Sequence, residues 1–327
     1  MVFTPCLQVR SKSIIIYNKF ERRSLRSLSQ LQSDKKLKER ETYTGRLSPG
    51  AKKRLTKAIE LITQAAIKDK YFTFTDQKTL KQKRAKFRLN FITLTIHSPG
   101  RMIMEKEGHS KCLEPMLKWL RDHYDLTMYV WKAELQQRGQ LHYHITSNCF
   151  VPWQDLRDKW NELQVNAGYL SQYKLATGHT DANSTDVHSV YKIKDMAKYL
   201  RKCICKNVRK KDGSLVAEFN KDMQNAATIG GKVWDCSLNL KMENYYTLDQ
   251  GGSVVDEQIR AVEVQAKKKG ASIVYTDNCT IYGFNEPAYY LLNEFFQQDY
   301  IETMQAIANY ERKKVKFEPD IGVFSTS

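Results

Sequence analysis

Residues 128–146 read MYVWKAELQQRGQLHYHIT, and the alternation within this stretch sets the architecture. Met128–Leu135 and Leu141–Thr146 are two β-prone runs separated by the polar segment Gln136–Gly139, the pattern of an antiparallel hairpin. Side chains alternate along a strand, so His142 and His144 point to one side of the sheet and Tyr143 to the other. Two imidazoles on one side can hold a metal ion between them. Glu134, near the end of the incoming strand, is placed to add a carboxylate oxygen, with Gln136 and Gln140 as alternative third donors.

Two further segments share the chain with this hairpin in a telling order. Upstream, Phe91–Ile96 (FITLTI) is a β-branched run of the kind found in buried central strands. Downstream, Lys194–Lys206 (KDMAKYLRKCICK) reads as a helix in which a three-residue step puts Tyr199 and Lys202 on one face. FITLTI, then ELQQRGQLHYHIT, then AKYLRK resemble the three motifs of the HUH endonuclease superfamily, most closely the rolling-circle replication initiator (Rep) proteins of bacterial plasmids and single-stranded DNA phages. The resemblance runs from about Tyr71 to Lys241 and takes in Leu156–Asn161 (LRDKWN) and Asn183–Val190 (NSTDVHSV). Relaxases of the superfamily are less similar, because Gln140 and Tyr143 offer no third histidine.

The resemblance implies a metal, Mn²⁺ or Mg²⁺, held by His142, His144 and Glu134. It implies Tyr199 as the nucleophile that nicks single-stranded origin DNA, and Lys202 as a helper at the phosphate or metal site. Tyr191, which also has a lysine three residues on at Lys194, is the rival nucleophile; it lies where a strand ends, whereas Tyr199 lies within a helical run. Many relatives carry a second tyrosine four residues after the first. Here that position is Cys203, which points to a single-tyrosine enzyme. No G-x-x-x-x-G-K-[ST] phosphate loop occurs, so unwinding is assigned to a host helicase and extension of the nicked strand to a host DNA polymerase.

Composition agrees with a nucleic-acid partner. The chain holds 53 Lys and Arg against 36 Asp and Glu, a formal net charge of +17, and such an excess favours polyanions through counterion release. Residues 1–90 contain 23 of the basic side chains and only 7 of the acidic ones, so almost the whole excess precedes the motifs. Seven scattered cysteines argue against a disulfide framework, and Cys203 with Cys205 makes no zinc site without a second pair. No run of eighteen apolar residues and no leader pattern is visible, and the expected location is the cytoplasm of a bacterial host.

Along the chain, residues 1–47 look flexible or only partly folded, and a helix starts after Ser48-Pro49 with Leu55, Ile59, Ile62 and Ala66 as its apolar stripe. Tyr71–Thr75 and Phe87–Ile96 are strand-like and joined by a basic stretch, DQKTLKQKRAK, whose tip is a candidate DNA contact. Ser110–Tyr124 and Trp153–Leu163 read as helices, Asp186–Tyr191 and Lys232–Lys241 as strands. The order β-α-β-β-α-β predicts an α+β fold: an antiparallel sheet with helices packed on it, on the RRM-like or ferredoxin-like plan that the resemblance also implies. Three regions are expected: a basic N-terminal region with one amphipathic helix over 1–69, a catalytic domain over 70–245, and a mostly helical appendage over 246–327. In that appendage Val254–Lys269 and Glu286–Lys314 read as helices and Ile273–Tyr282 as strand-rich.

Two other functions compete. One is a non-catalytic single-stranded nucleic-acid-binding protein with Tyr143 as a stacking platform. The other is a structural zinc module, for which two histidines without cysteine partners are a poor ligand set.

Overall fold

The computed structural model describes residues 3–20, 49–66, 69–75, 79–97, 105–136, 140–190 and 232–310. Within them the strands are β1 (Phe3–Val9), β2 (Ser13–Phe20), β3 (Lys70–Thr75), β4 (Gln82–Phe87), β5 (Asn90–Thr95), β6 (Tyr129–Leu135), β7 (Leu141–Ser147), β8 (Thr185–Ser189), β9 (Trp234–Cys236), β10 (Thr247–Leu248), β11 (Ser272–Tyr275) and β12 (Cys279–Gly283). The α-helices are α1 (Pro49–Ala65), α2 (Glu105–Gly108), α3 (Glu114–Tyr124), α4 (Trp153–Asn166), α5 (Ser171–Thr177), α6 (Leu238–Met242), α7 (Ser253–Lys268) and α8 (Glu294–Ala308). A π-helical turn, His109–Leu113, joins α2 to α3.

The strands form three antiparallel sheets, and the central one runs β8-β5-β7-β6-β9. Its first four strands alternate with helices as β5, α2–α3, β6, β7, α4, β8, which is the expected β-α-β-β-α-β plan. One face of the sheet is apolar: Ile92, Leu94, Trp131, Ala133, Tyr143 and Ile145 are buried against Leu113, Leu117, Leu120, Leu156 and Trp160 from the helical layer. Each large apolar side chain among them stabilises the fold by roughly 1.5–3 kcal/mol relative to exposure, and period-two alternation delivers the strand residues to one side. The opposite face carries Phe91, Thr93, Thr95, Lys132, Glu134, His142 and His144, and α1 covers its lower end through Leu55, Ile59 and Ile62, which share a core with Phe91, Met128 and Val130.

Gly108 marks the tightest approach of helix to sheet. A methyl group there would lie 2.7 Å from Leu141 Cδ2, 2.8 Å from Ile96 Cδ1 and 2.9 Å from the Tyr143 hydroxyl, so only a glycine lets the start of this helical run sit on the strands.

The second five-stranded sheet, β10-β1-β2-β12-β11, is built from both ends of the described chain. β1 pairs with β2 over seven residues, and β2 pairs with β12 through Ile14, Ile15, Ile16 and Tyr17. This corrects the reading of residues 1–47 as flexible or only partly folded, at least over 3–20. The apolar run Ile14–Ile16 had too little amphipathic context to reveal partners more than 250 residues away. The sheet also crosses the expected regional limits, since strands from 3–20 and 247–283 are hydrogen-bonded to one another.

Several element boundaries differ from expectation. The basic stretch before Phe87 is itself strand β4, paired with β3, and the chain breaks at Arg88-Leu89 before β5 begins. Lys232–Lys241 is a strand only over Trp234–Cys236, after which Ser237 leads into α6. Glu286–Lys314 is not one helix: a 3₁₀ turn, Ala288–Leu291, precedes α8, and the Asn293 side chain caps α8 by accepting from the Phe296 N–H. Local helical periodicity continued through this junction, so only the cap reveals the break. Residues 311–314 lie outside the described residues.

Candidate functional site

The sheet register determines which side chains meet. β6 and β7 pair with Glu134 opposite His142 and Lys132 opposite His144, so all four project from one face. β5 and β7 pair with Thr95 opposite His142 and Thr93 opposite His144. The face thus presents three neighbouring columns: threonines, histidines, and a carboxylate with a lysine.

The hydrogen bonds follow that register. Thr95 Oγ1 lies 2.8 Å from His142 Nδ1, and Thr93 Oγ1 lies 3.2 Å from His144 Nδ1. On the far side, His144 Nε2 is 2.9 Å from Glu134 Oε1, while Lys132 Nζ is 3.2 Å from Glu134 Oε2. Gln136 Nε2 is 3.0 Å from His142 Nδ1, so this amide shares the ring atom that Thr95 engages. The two imidazoles lie edge to face with centroids 4.6 Å apart. His142 is buried and the His144 side chain is 15% exposed, so both rings are held in a partly desolvated cleft.

Protons are distributed accordingly. A carboxylate only accepts, so the His144 Nε2–H donates to Glu134, and a neutral ring must then accept at Nδ1 from the Thr93 hydroxyl. A threonine hydroxyl can also accept, which leaves the ring able to switch tautomer without losing its partner.

The sequence reasoning brought together His142, His144 and Glu134, and the structure places these three on one face in direct succession. Gln136 also reaches the site, whereas Gln140 contributes its backbone carbonyl to the Gln136 N–H. Among the described residues, no three His, Cys, Asp or Glu side chains form a ready cation-holding group. Glu134 is instead engaged by His144 and Lys132. Tyr199, Lys202, Tyr191, Lys194 and Cys203 lie outside the described residues. Tyr143, the stacking platform of the competing reading, is fully buried on the helix side, with its hydroxyl 3.5 Å from the Glu105 carbonyl. That correction removes the platform; the tyrosine is a core residue because the same alternation that turns its neighbours to the open face turns it inward.

Sequence reasoning missed the threonines. The signal was present, since T-x-T in FITLTI has the same spacing as H-x-H, but only the antiparallel register shows that the two pairs face each other. It also missed Asp186 and His188 of β8, which pair with Thr93 and Phe91 and therefore lie on the same face. The Phe91 ring stands between the imidazoles of His188 and His144, 5.3 Å from each. Helix α4 steadies this edge from behind, where Trp160 Nε1 donates to the Thr95 carbonyl at 2.9 Å and Gln164 Oε1 accepts from the His97 N–H at 2.7 Å.

Residues 89–211 match the model of a replication-associated protein family, the ORF2 type. The match begins one residue before β5 and includes the β6–β7 hairpin and Tyr199, so over this segment the chain is Rep-like and associated with DNA replication. No curated protein and no solved structure matches the chain significantly. No helix among the described residues is long and apolar enough to cross a membrane.

Proposed function

We propose that this Rep-like chain is a replication initiator that nicks single-stranded DNA at an origin and later rejoins strands. The observation that carries the reading is the clustering of His142, His144 and Glu134 on one sheet face, within the segment that matches a replication-associated family.

The donor chemistry suits a divalent cation of the Mn²⁺ or Mg²⁺ class. Two imidazole nitrogens and a carboxylate supply a mixed nitrogen and oxygen set, and threonine hydroxyls on both Nδ1 atoms leave Nε2 as the ligating atom of each ring. Glu134 would exchange its bond to His144 for the cation. When bound, the ion polarises the scissile phosphate and orients it.

Breaking a phosphodiester needs an attacking oxygen in line with the leaving oxygen and relief of charge on the non-bridging oxygens. Tyr199 supplies the attacking phenol oxygen. Its bond to phosphorus forms as the phosphorus–O3′ bond breaks, giving a 5′-phosphotyrosine and a 3′-hydroxyl, the tyrosine proton passing to solvent and the 3′ oxygen taking one up. Lys202 and Lys132 add positive charge near the phosphate, the latter already held beside Glu134. A host polymerase extends the 3′-hydroxyl and a host helicase unwinds ahead. Because the phosphotyrosine keeps the bond energy, attack by a 3′-hydroxyl reverses the step and rejoins strands.

Incubation of the protein with labelled single-stranded origin DNA and Mn²⁺ tests the proposal. The expected product is a protein–DNA adduct that survives denaturation; binding that is fully reversible would leave a non-catalytic DNA-binding protein.

A further inference from the structure

β3 and β4 form a sheet of their own, a two-stranded ribbon standing outside both five-stranded sheets. Its inner side is aromatic. The Phe72, Phe74 and Phe87 rings lie 5.0, 5.7 and 5.8 Å from Phe150, and Phe72 also meets Tyr124 of α3 at 6.3 Å. Its base is pinned by Asp69, which pairs with Lys86 and Arg88 at 2.6 Å each. The ribbon is therefore docked rigidly along one side, which orders the other.

The outer side is polar and exposed. The pairs Tyr71 with Lys86, Thr73 with Arg84 and Thr75 with Gln82 all share it, and Lys81 and Lys83 add exposed cations toward the tip. Residues 69–88 contain seven basic and two acidic side chains, a density of positive charge that complements a polyanion. The kind of polyanion follows from the one aromatic ring on that side. The Arg84 guanidinium lies over Tyr71 at 3.9 Å, so the ring is covered by a cation and does not offer an open platform for unstacked bases. What remains is a row of charged and hydroxyl or amide groups on a ribbon roughly 20 Å long, from six residues at about 3.4 Å each. The major groove of B-form DNA is about 12 Å wide and accepts a two-stranded ribbon of this kind.

We propose that the β3–β4 ribbon binds duplex DNA in the major groove. The inference rests on the reading of the chain as a DNA-binding initiator, and it does not depend on the nicking chemistry. The ribbon leads through Arg88-Leu89 into the Asn90 end of β5, whereas Thr95 and His142 lie at the other end, roughly 17 Å away along the strand at about 3.3 Å per residue. Duplex held on the ribbon therefore lies beside the strand offered to the histidine face, and does not compete for it.

The test compares full-length protein with a variant carrying Lys81→Ala, Lys83→Ala and Arg84→Ala, which leaves the aromatic anchor and the Asp69 pairs intact. Binding is measured across a salt series to a duplex of about 20 base pairs and to a single strand of the same sequence. Duplex affinity is expected to fall at least about tenfold, its log–log salt slope flattening by roughly 0.9 per lost phosphate contact, with less than about a twofold change on the single strand. Unchanged duplex affinity and slope would overturn the proposal and leave the lysines as guards of an open strand edge against pairing with another chain. An equal loss on both probes would overturn it in favour of a single-stranded occupant. Adduct formation on single-stranded DNA is followed in parallel: its absence, with duplex binding still dependent on the ribbon, supports the ribbon while refuting the nicking chemistry.

Discussion

Thr93 and His144 face each other across β5 and β7, with the threonine hydroxyl 3.2 Å from the imidazole Nδ1. Because the same ring donates from Nε2 to Glu134, this hydroxyl has to serve as donor now and as acceptor once Nε2 is needed for a cation. Thr93→Val keeps the shape and removes both options. The variant is expected to bind Mn²⁺ roughly tenfold more weakly, with Thr93→Ser close to the parent. Calorimetric titration with Mn²⁺ measures this, and an unaltered affinity for the valine variant would show that the hydroxyl does not set the tautomer.

Tyr199→Phe is expected to abolish nicking and adduct formation while leaving affinity for single-stranded DNA nearly intact, since only the attacking oxygen is lost. Tyr191→Phe should retain both activities. Adduct assays on the two variants discriminate between the tyrosines, and the reverse pattern would exchange their roles.

Mn²⁺ should support cleavage at least as well as Mg²⁺, because two imidazoles and a carboxylate are a softer set than the oxygen shells that suit Mg²⁺. Excess EDTA, or replacing His142 and His144 together by alanine, should stop it. Undiminished cleavage under either condition would refute the metal assignment.

Burial raises the Glu105 carboxyl from 4.5 to about 7, against an opposing influence from Lys232, and its Oε1 is buried without a hydrogen-bond partner among the described residues. The unfolded chain therefore releases this proton before the folded one does. The stability it contributes is present below pH 4.5 and lost as pH rises through about 7. Glu105→Gln, neutral at every pH, is expected to be more stable than the parent at about pH 8 by on the order of 1–3 kcal/mol, and no more stable at about pH 4. Urea unfolding at the two pH values checks the crossover; an equal difference at both would mean that the carboxyl is not titrating in this window.

Gly108→Ala should cost about 1–3 kcal/mol, because the added methyl meets Leu141, Ile96 and Tyr143 at distances no relaxed core allows. Leu141 and Tyr143 flank His142, so the shift also reaches the site. Thermal unfolding and Mn²⁺ titration of this variant should both move, and a change in neither would indicate that α2 lifts away without disturbing β7.

Removing residues 1–46, which on charge alone looked like a clean way to lower DNA affinity, would delete β1 and β2 from the middle of their sheet. The basic residues there are better examined by substitution, since the deletion would expose the paired edges of β10 and β12.

The central sheet was legible in the chain because its information is local. Alternation in MYVWKAEL and LHYHIT, the helical stripe of Leu113, Leu117 and Leu120, and the β-α-β-β-α-β order are patterns within short windows, and burial of one face makes each register costly to slip. The pairing of histidines with Glu134 followed from the same hairpin. Partnerships across long stretches of chain were not legible. Ile14–Tyr17 carries no sign of Cys279–Gly283, T-x-T in β5 does not announce H-x-H in β7, and DQKTLKQKRAK reads as a loop until β3 pairs with it. A strand's hydrogen-bonding groups are the same in every residue, so which strand it joins is selected by how whole faces are buried together. The metal-type donors and the sheet that bears them were thus written in short windows of the chain, while the hydroxyls that hold the imidazoles and the partners of the N-terminal strands emerged only when distant segments packed against one another.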